Sequence, residues 1–234
     1  MRVAALYDVH GNLPALEAVL TEVEREKIEV TVAGGDVLWG PFQSECLDLL
    51  RVHDALFVSG NCEREVLAGA DESSAWCLGE LSSSEREFVS TWPALEVEGL
   101  GRALFCHATP RSDEEILTRL TPDADVAAAL EGADADIVVC GHTHVQQERQ
   151  VPGVPPLVNV GSVGLPYQGQ PGAFWAVLGQ GVEFRRTEYD FAEALDVLSA
   201  SAFPGAGKIF GDSLAGAATA KSATAYFESK RRGT

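Results

Sequence analysis

Short apolar runs alternate with segments of helical periodicity through the first half of this chain. Runs at 3–7, 29–33 and 55–59 have the composition of buried strands. After the first run, apolar residues recur at the spacing of one helical face: Leu13, Leu16, Leu20 and Val23. Asn12 precedes this face and suits an N-cap, with Pro14 in the first turn. The βαβαβ order predicts a mainly parallel sheet with right-handed crossovers.

The second half adds further strand candidates and ends in helices. Strands are expected at 95–98, 103–106 and 137–140, and antiparallel strands at 157–160, 174–178 and 182–187. The segment of about 64–93, rich in Glu, Ser and Ala, predicts a helical insertion. We therefore expect an α/β protein with one domain over 1–190. A C-terminal helical extension, 191–234, is expected to pack on the same domain.

Composition and charge exclude several classes of function. Seventeen Lys and Arg against 35 Asp and Glu give a net charge of −18, which opposes binding of long nucleic acid. No apolar stretch approaches the roughly 18–20 residues that cross a bilayer, so no membrane partner is expected. The N-terminus, with Asp8 followed by Gly11 and Asn12, does not fit a signal peptide. Five scattered cysteines without a CxxC pair favour reduced thiols and a cytoplasmic location.

Side chains that can bind metals stand at the ends of five predicted strands. In chain order they are Asp8 and His10, Asp36, Asn61, His107, and His142 and His144. Because the carboxyl ends of parallel strands share one edge, we expect these side chains to meet there. Mixed imidazole and oxygen donors suit Mn, Fe, Ni, Co or Zn rather than Mg or Ca. Seven donors, with one carboxylate bridging, make two four-ligand half-sites.

The same residues resemble the five motifs of the calcineurin-like metallophosphoesterases in order and approximate spacing. The matching segments are Asp8-x-His10, Gly35-Asp36, Gly60-Asn61-Cys62-Glu63, His107 and Gly141-His142-Thr143-His144. Two segments, 8–12 and 159–164, are closer still to the small bacterial and archaeal phosphodiesterase branch. The resemblance implies two packed mixed β-sheets flanked by helices, with the metals at one edge. Beyond about residue 186 it implies nothing.

The resemblance also implies a ligand set and a reaction. One metal would be held by Asp8, His10, Asp36 and His144, and the other by Asp36, Asn61, His107 and His142, with Asp36 as the bridge. Two divalent transition-metal ions are expected, with manganese favoured over Fe, Ni, Co and Zn. The implied reaction is hydrolysis of a P–O ester bond by a hydroxide that bridges the metals. The residues assigned to catalysis are Asp36, Asn61, His107 and Cys62.

Cys62 departs from the pattern, since many members of the family have a histidine that assists the leaving group at this position. General-acid catalysis typically contributes about 10²–10⁴ in rate, and a thiol is the weaker donor. We therefore expect a preference for leaving groups that need little protonation. The phosphodiesterase branch often carries Cys here, so an active enzyme is still expected. The sequence leaves open whether Cys62 acts in catalysis or fills space.

The sequence predicts a metal-dependent phosphoric ester hydrolase, with phosphodiesterase activity favoured. Its substrate would be a small phosphoester, for which a nucleotide derivative is one option. The first alternative is a phosphomonoesterase, or a phosphatase of phosphoproteins or dinucleoside polyphosphates. An alternative of another class is a non-catalytic, metal-binding scaffold for protein interactions. A homodimer is left open.

Several other polar and aromatic residues have a structural interpretation beside a functional one. Arg64 and Arg149 follow motif residues, but surface salt bridges are expected for them rather than contacts with phosphate. The Gly161-Ser162 turn fits a phosphate-binding backbone and a structural turn equally well. Core packing rather than base stacking is expected for Trp39, Tyr167 and Trp175.

Overall fold

Two β-sheets pack face to face, with helices on both outer surfaces, in a computed structural model that describes residues 1–93 and 102–231. The strands are β1 (Val3–Leu6), β2 (Val30–Ala33), β3 (Leu56–Phe57), β4 (Ala103–Phe105), β5 (Ile137–Cys140), β6 (Gln147–Arg149), β7 (Leu157–Asn159), β8 (Ala173–Leu178) and β9 (Val182–Thr187). The first sheet has the order β3-β2-β1-β8-β9, and the second has the order β4-β5-β7-β6. The predicted α/β class and two-sheet architecture are confirmed.

Helices follow most of the strands. They are α1 (Leu13–Glu26), α2 (Gln43–Val52), α3 (Asn61–Ala68), α4 (Glu72–Glu80), α5 (Ser83–Ser90), α6 (Asp123–Ala129), α7 (Phe191–Ser199), α8 (Ala206–Leu214) and α9 (Ala220–Arg231). The Asn12 side chain accepts a hydrogen bond from the amide of Ala15 at 3.2 Å, as predicted for the N-cap. Within the described ranges, every helix is too short or too polar to span a bilayer.

Strand pairing agrees with the predicted βαβαβ start and differs later. β1 runs parallel to β2, β2 parallel to β3, and β8 antiparallel to β9. β7, which was expected to be an antiparallel strand, pairs antiparallel with β6 and also parallel with β5 in the second sheet. Its three residues are all buried, as a strand with neighbours on both sides requires. The strand β6 was not predicted, and the strand expected at 95–98 lies outside the described residues.

The alternation of β1 side chains explains how the layers are joined. Val3, Ala5 and Tyr7 face the core between the sheets, whereas Ala4 and Leu6 face the helical layer. The hydroxyl of Tyr7 donates to the carbonyl oxygen of Val139 on β5 at 2.9 Å. This hydrogen bond joins the two sheets at the ends of their strands, where the candidate site lies.

The C-terminal helices differ in how they attach. α7 and α8 bury apolar side chains in the same core as the first sheet, among them Leu198, Phe210 and Leu214. By contrast, the buried residues of α9 are Ala223, Thr224 and Glu228. The division into a 1–190 domain and a 191–234 extension stays a prediction.

Candidate metal centre

The predicted metal ligands lie on the loops that follow the strand ends, and most of them have a strained backbone. Five have positive φ: Asp8, His10, Asp36, His142 and His144. They make up five of the seven non-glycine residues with positive φ in the described ranges. Each such conformation costs about 1–3 kcal/mol and persists only where the surroundings enforce it. The loops are therefore shaped to aim these side chains at one point.

The carboxylate of Asp36 lies at that point. Its Oδ2 atom is 3.4 Å from Nε2 of His107, 3.9 Å from Nε2 of His10 and 3.1 Å from Sγ of Cys62. The backbone amide of Cys62 donates to its Oδ1 atom at 2.9 Å. Asp36 thus touches side chains from three separate loops, as a bridging ligand must.

Asp8 forms the neighbouring part of the centre. Its Oδ1 atom lies 3.4 Å from Nε2 of His144 and 3.9 Å from Nε2 of His107. The backbone amide of His142 donates to its Oδ2 atom at 3.0 Å. Nε2 of His144 also lies 3.3 Å from Nε2 of His10, so two imidazoles face each other beside the carboxylate.

Backbone carbonyls set the orientation of three imidazoles. Nδ1–H of His107 donates to Gly34 at 3.0 Å, that of His144 to Leu165 at 2.6 Å, and that of His10 to Trp39 at 3.3 Å. Each bond holds the Nδ1 proton against a carbonyl oxygen, so that Nε2 faces the centre and can bind a cation once it is deprotonated. Metal-binding histidines are usually held in this way.

Three buried atoms at the centre have no hydrogen-bond partner among residues 1–93 and 102–231. They are Oδ1 of Asp8, Oδ1 of Asn61 and Nε2 of His107. An unsatisfied buried polar atom costs roughly 1–3 kcal/mol, and three together call for a ligand. All three can donate an electron pair to a metal ion, so the residues present fit the predicted cations.

Among the residues that the structure describes, the potential ligand atoms fall into three overlapping groups. These are Asp8, His10 and His144; His10, Asp36 and Cys62; and Asp36, His107 and His142. The atoms within each group lie within 4.8 Å of one another. Asp36 belongs to two groups, which is consistent with the predicted bridge. Asn61, the seventh predicted ligand, lies next to Cys62, with its amide nitrogen 3.7 Å from the sulfur.

Without metal, the carboxylates and imidazoles perturb one another. Burial opposes charge on His107, but Asp36 and Asp8 raise its pKa to about 10. Burial and the nearby His144 lower the pKa of His10 to about 4. A proton on His107 thus balances the carboxylates of the metal-free centre. A metal ion would replace that proton.

Comparison with known proteins decides the family. A model of the calcineurin-like phosphoesterase superfamily domain matches residues 1–179 of the 234. The chain belongs to this superfamily. Members of this superfamily are metal-dependent phosphoesterases, as the resemblance of the motifs implied.

Relatives of this calcineurin-like phosphoesterase extend over nearly the whole chain. An uncharacterized protein of Methanocaldococcus jannaschii is 26% identical over 232 residues, covering 86% of this chain and 93% of the relative. A metallophosphoesterase from Sphaerobacter thermophilus superposes with a TM-score of 0.76 at 26% identity, covering 92% of this chain and 100% of that one. A hypothetical protein from Pyrococcus horikoshii shares the fold, with a TM-score of 0.79, 19% identity and coverage of 93% and 99%.

Glu63 is a buried residue of this phosphoesterase whose role the sequence analysis missed. Its carboxylate accepts four backbone hydrogen bonds, from Gly60 at 2.7 Å, Asp36 at 2.8 Å, Val37 at 2.7 Å and Leu38 at 3.0 Å. It therefore fixes the loop that carries the central carboxylate. Its place three residues after Gly60, at the third position of a helix, was the available signal.

Cys62 lies against the central carboxylate. Burial, followed by the charge of Asp36, raises the pKa of the thiol well above its usual value. The thiol is therefore neutral and donates its hydrogen bond to Asp36. Cys62 therefore lies beside the predicted metal ligands and is hydrogen-bonded to one of them. A direct part in catalysis stays a prediction.

Glycines and two polar side chains hold the motif loops close together. A Cβ atom at Gly60 would collide with the carboxylate of Asp36, and one at Gly141 with that of Asp8. The Asn159 amide bonds to the carbonyl of Gly141 and to the hydroxyl of Thr143. The hydroxyl of Ser162 donates to the backbone of Asp8 at 2.8 Å. The Gly161-Ser162 segment therefore acts as a structural turn.

The remaining residues singled out by the sequence are engaged in structural contacts. Arg64 pairs with Asp113 at 2.8 Å, and Arg149 pairs with Asp123 at 2.7 Å, as predicted. Trp175 is wholly buried in the core, also as predicted. Tyr167, in contrast, stacks on the imidazole of His144, with ring centroids 4.7 Å apart at an interplanar angle of 12°.

Proposed function

We propose that this protein hydrolyses small phosphodiesters with two divalent metal ions, of which manganese is the favoured identity. The observation that carries the proposal is the convergence of unsatisfied donor atoms of Asp8, Asn61 and His107 around the central carboxylate of Asp36. Hydrolysis of ester bonds is the chemistry of the family. A cytoplasmic location stays a prediction.

The residues divide into two half-sites that share one carboxylate. Asp8, His10 and His144 would hold one ion, and Asn61, His107 and His142 the other, with Asp36 between them. Bound there, two divalent ions would polarise phosphoryl oxygens and would lower the pKa of a bound water towards about 7. The Asn61 oxygen would be a neutral ligand, so the metal-loaded centre would keep a net positive charge that attracts an anionic ester.

Two features favour a diester over a monoester. Position 62 holds a thiol that donates its hydrogen bond to Asp36. The leaving group therefore has no imidazole at this position to protonate it. Arg64 and Arg149, the cations next to motif residues, are paired with carboxylates. A monoester dianion or a polyphosphate carries additional charge, which typically needs such cations. A diester carries a single negative charge and can be held by the metals alone.

The test compares bis-p-nitrophenyl phosphate with p-nitrophenyl phosphate, each with Mn²⁺-loaded protein. Because both release the same phenolate, the comparison isolates the second ester arm. The proposal predicts a higher kcat/KM for the diester. Faster monoester hydrolysis would favour the phosphatase alternative. Metal-loaded protein that is inert across a broad panel of phosphate esters would favour the non-catalytic scaffold.

A further inference from the structure

The seven predicted ligands of the candidate centre differ in how deeply they are buried. Five of the seven predicted ligands are buried: Asp8, His10, Asp36, His107 and His144. The side chains of Asn61 and His142 are only partly buried. An ester that approaches the metals must therefore arrive on the side of these two residues, and whatever borders them will contact its organic arms.

The C-terminal helix supplies an aromatic ring on this side. The Phe227 ring of α9 lies 6.3 Å from the His142 imidazole and 6.4 Å from the ring of Tyr167. Tyr167 in turn stacks on His144. Tyr167 and Phe227, which we term the aromatic wall, thus extend outwards from two predicted metal ligands.

A buried carboxylate on the same helix fixes the position of the wall. Glu228 is only 4% exposed. Its carboxylate accepts hydrogen bonds from the hydroxyls of Thr118 at 2.7 Å and Thr121 at 2.6 Å. Arg231 bonds to Glu228 at 3.0 Å and to Asp125 at 2.8 Å. These contacts hold α9 through polar groups, next in sequence to Phe227.

We propose that the aromatic wall is the specificity surface of the enzyme and that it selects phosphodiesters with a planar aromatic arm, either a nucleobase or an aryl group. The inference rests on the proposed phosphodiesterase function. With the phosphate held at the metals, its second arm extends past His142 towards Phe227. A flat, uncharged ring gains stacking and apolar contact there, whereas a methyl group gains almost nothing.

The experiment compares two diesters that share a leaving group. Bis-p-nitrophenyl phosphate has an aromatic second arm, and methyl p-nitrophenyl phosphate has a methyl group in its place. The ratio of their kcat/KM values reports on the contacts of that arm. Phe227→Ala should lower this ratio about 5- to 20-fold, the lower part of the range for base–aromatic stacking. Turnover of the methyl ester should change little.

Two further variants separate specificity from folding. Phe227→Leu keeps apolar volume but removes the flat ring, and it should lower the ratio in the same direction. Lys221→Ala is the control, because this exposed residue of the same helix lies six positions before Phe227, and it should leave the ratio unchanged. An unchanged ratio in both Phe227 variants, or an equal loss on both diesters, would overturn the inference.

A failure of the proposed function has a different signature, namely wild-type protein that hydrolyses neither diester. The wall is then tested by calorimetric binding of phenylphosphonate and methylphosphonate to the Mn²⁺-loaded protein. Wild type should bind the phenyl compound more tightly, and Phe227→Ala should remove that preference. Equal affinities in the wild type would refute the aromatic wall.

Discussion

The candidate metal centre and the C-terminal helix α9 lie next to each other but are held in place by different interactions. The centre lies in buried, strained loops whose conformation is fixed by many hydrogen bonds, four of them to Glu63 alone. α9 buries little apolar surface and is attached through Glu228 and Arg231. The position of the candidate metal ligands therefore depends on a rigid frame of hydrogen-bonded loops. The proposed selection of the organic group would need only the helix α9, docked at the edge of that frame.

Removal of metal should give the largest effect. Dialysis against EDTA should reduce diester hydrolysis to background, because the carboxylates and imidazoles alone cannot polarise a phosphate. Mn²⁺ should restore activity, and at 100 times its Kd it should raise the free energy of unfolding by about 2.7 kcal/mol for each of the two sites that it fills. Thermal denaturation with and without Mn²⁺ measures this. Full activity in the metal-free protein would contradict metal-dependent hydrolysis.

Glu63→Ala should be the most damaging change in the frame around the centre. Four buried amides lose their acceptor, so the free energy of unfolding should fall by about 2–5 kcal/mol, and metal binding should weaken with it. Urea denaturation and elemental analysis measure the two effects. Glu80→Ala, at an exposed position of α4, is the control and should stay within about 0.5 kcal/mol of wild type. Wild-type stability of Glu63→Ala would show that the Asp36 loop holds its shape unaided.

Glu228→Ala should loosen α9 and leave the frame intact. Loss of charge-assisted hydrogen bonds worth about 1.5–3 kcal/mol should speed amide exchange in α9 roughly 10- to 100-fold. Amides of β1 and β2 should exchange as in the wild type. Hydrogen-exchange mass spectrometry distinguishes these regions. Equal acceleration in α9 and β1 would remove the proposed difference between them.

Lowering the pH should loosen α9, as the Glu228→Ala substitution does. Burial alone would raise the pKa of Glu228, but the hydroxyls of Thr121 and Thr118 and the charge of Arg231 lower it. The ionised form therefore favours the docked helix. Its contribution is complete above the ordinary carboxyl pKa of about 4.3 and is lost as the pH falls further. After correction for intrinsic exchange rates, protection in α9 should decline with falling pH in wild type but not in Glu228→Ala.

Cys62→Ser should have the smallest effect. A hydroxyl can keep the hydrogen bond to Asp36, so kcat on diphenyl phosphate, whose phenolate leaving group needs a proton more than p-nitrophenolate does, should stay within about tenfold of wild type. Loss of a general acid would instead cost about 10²–10⁴. A loss of that size, with metal content unchanged, would assign Cys62 to leaving-group protonation.

Local sequence patterns predicted those parts of the molecule that local chemistry determines. The apolar run before Asp8 and the helical face after Asn12 identify a strand and a helix. Polar residues at successive strand ends indicate a shared edge. The parallel pairing of β7 with β5 was not predicted, because the assignment of strands to the two sheets depends on packing between distant parts of the chain. Phe227 was missed because its neighbour, His142, is far away in the sequence and α9 has little apolar pattern.

Metal stoichiometry tests the central claim most directly, since that claim is that one carboxylate joins two cations. Elemental analysis of protein purified with excess Mn²⁺ should give two ions per chain for wild type and for the exposed control Asp48→Ala. Asp36→Ala should bind at most one ion and lose diester hydrolysis. Two tightly bound ions in Asp36→Ala would contradict the bridge and the arrangement built on it.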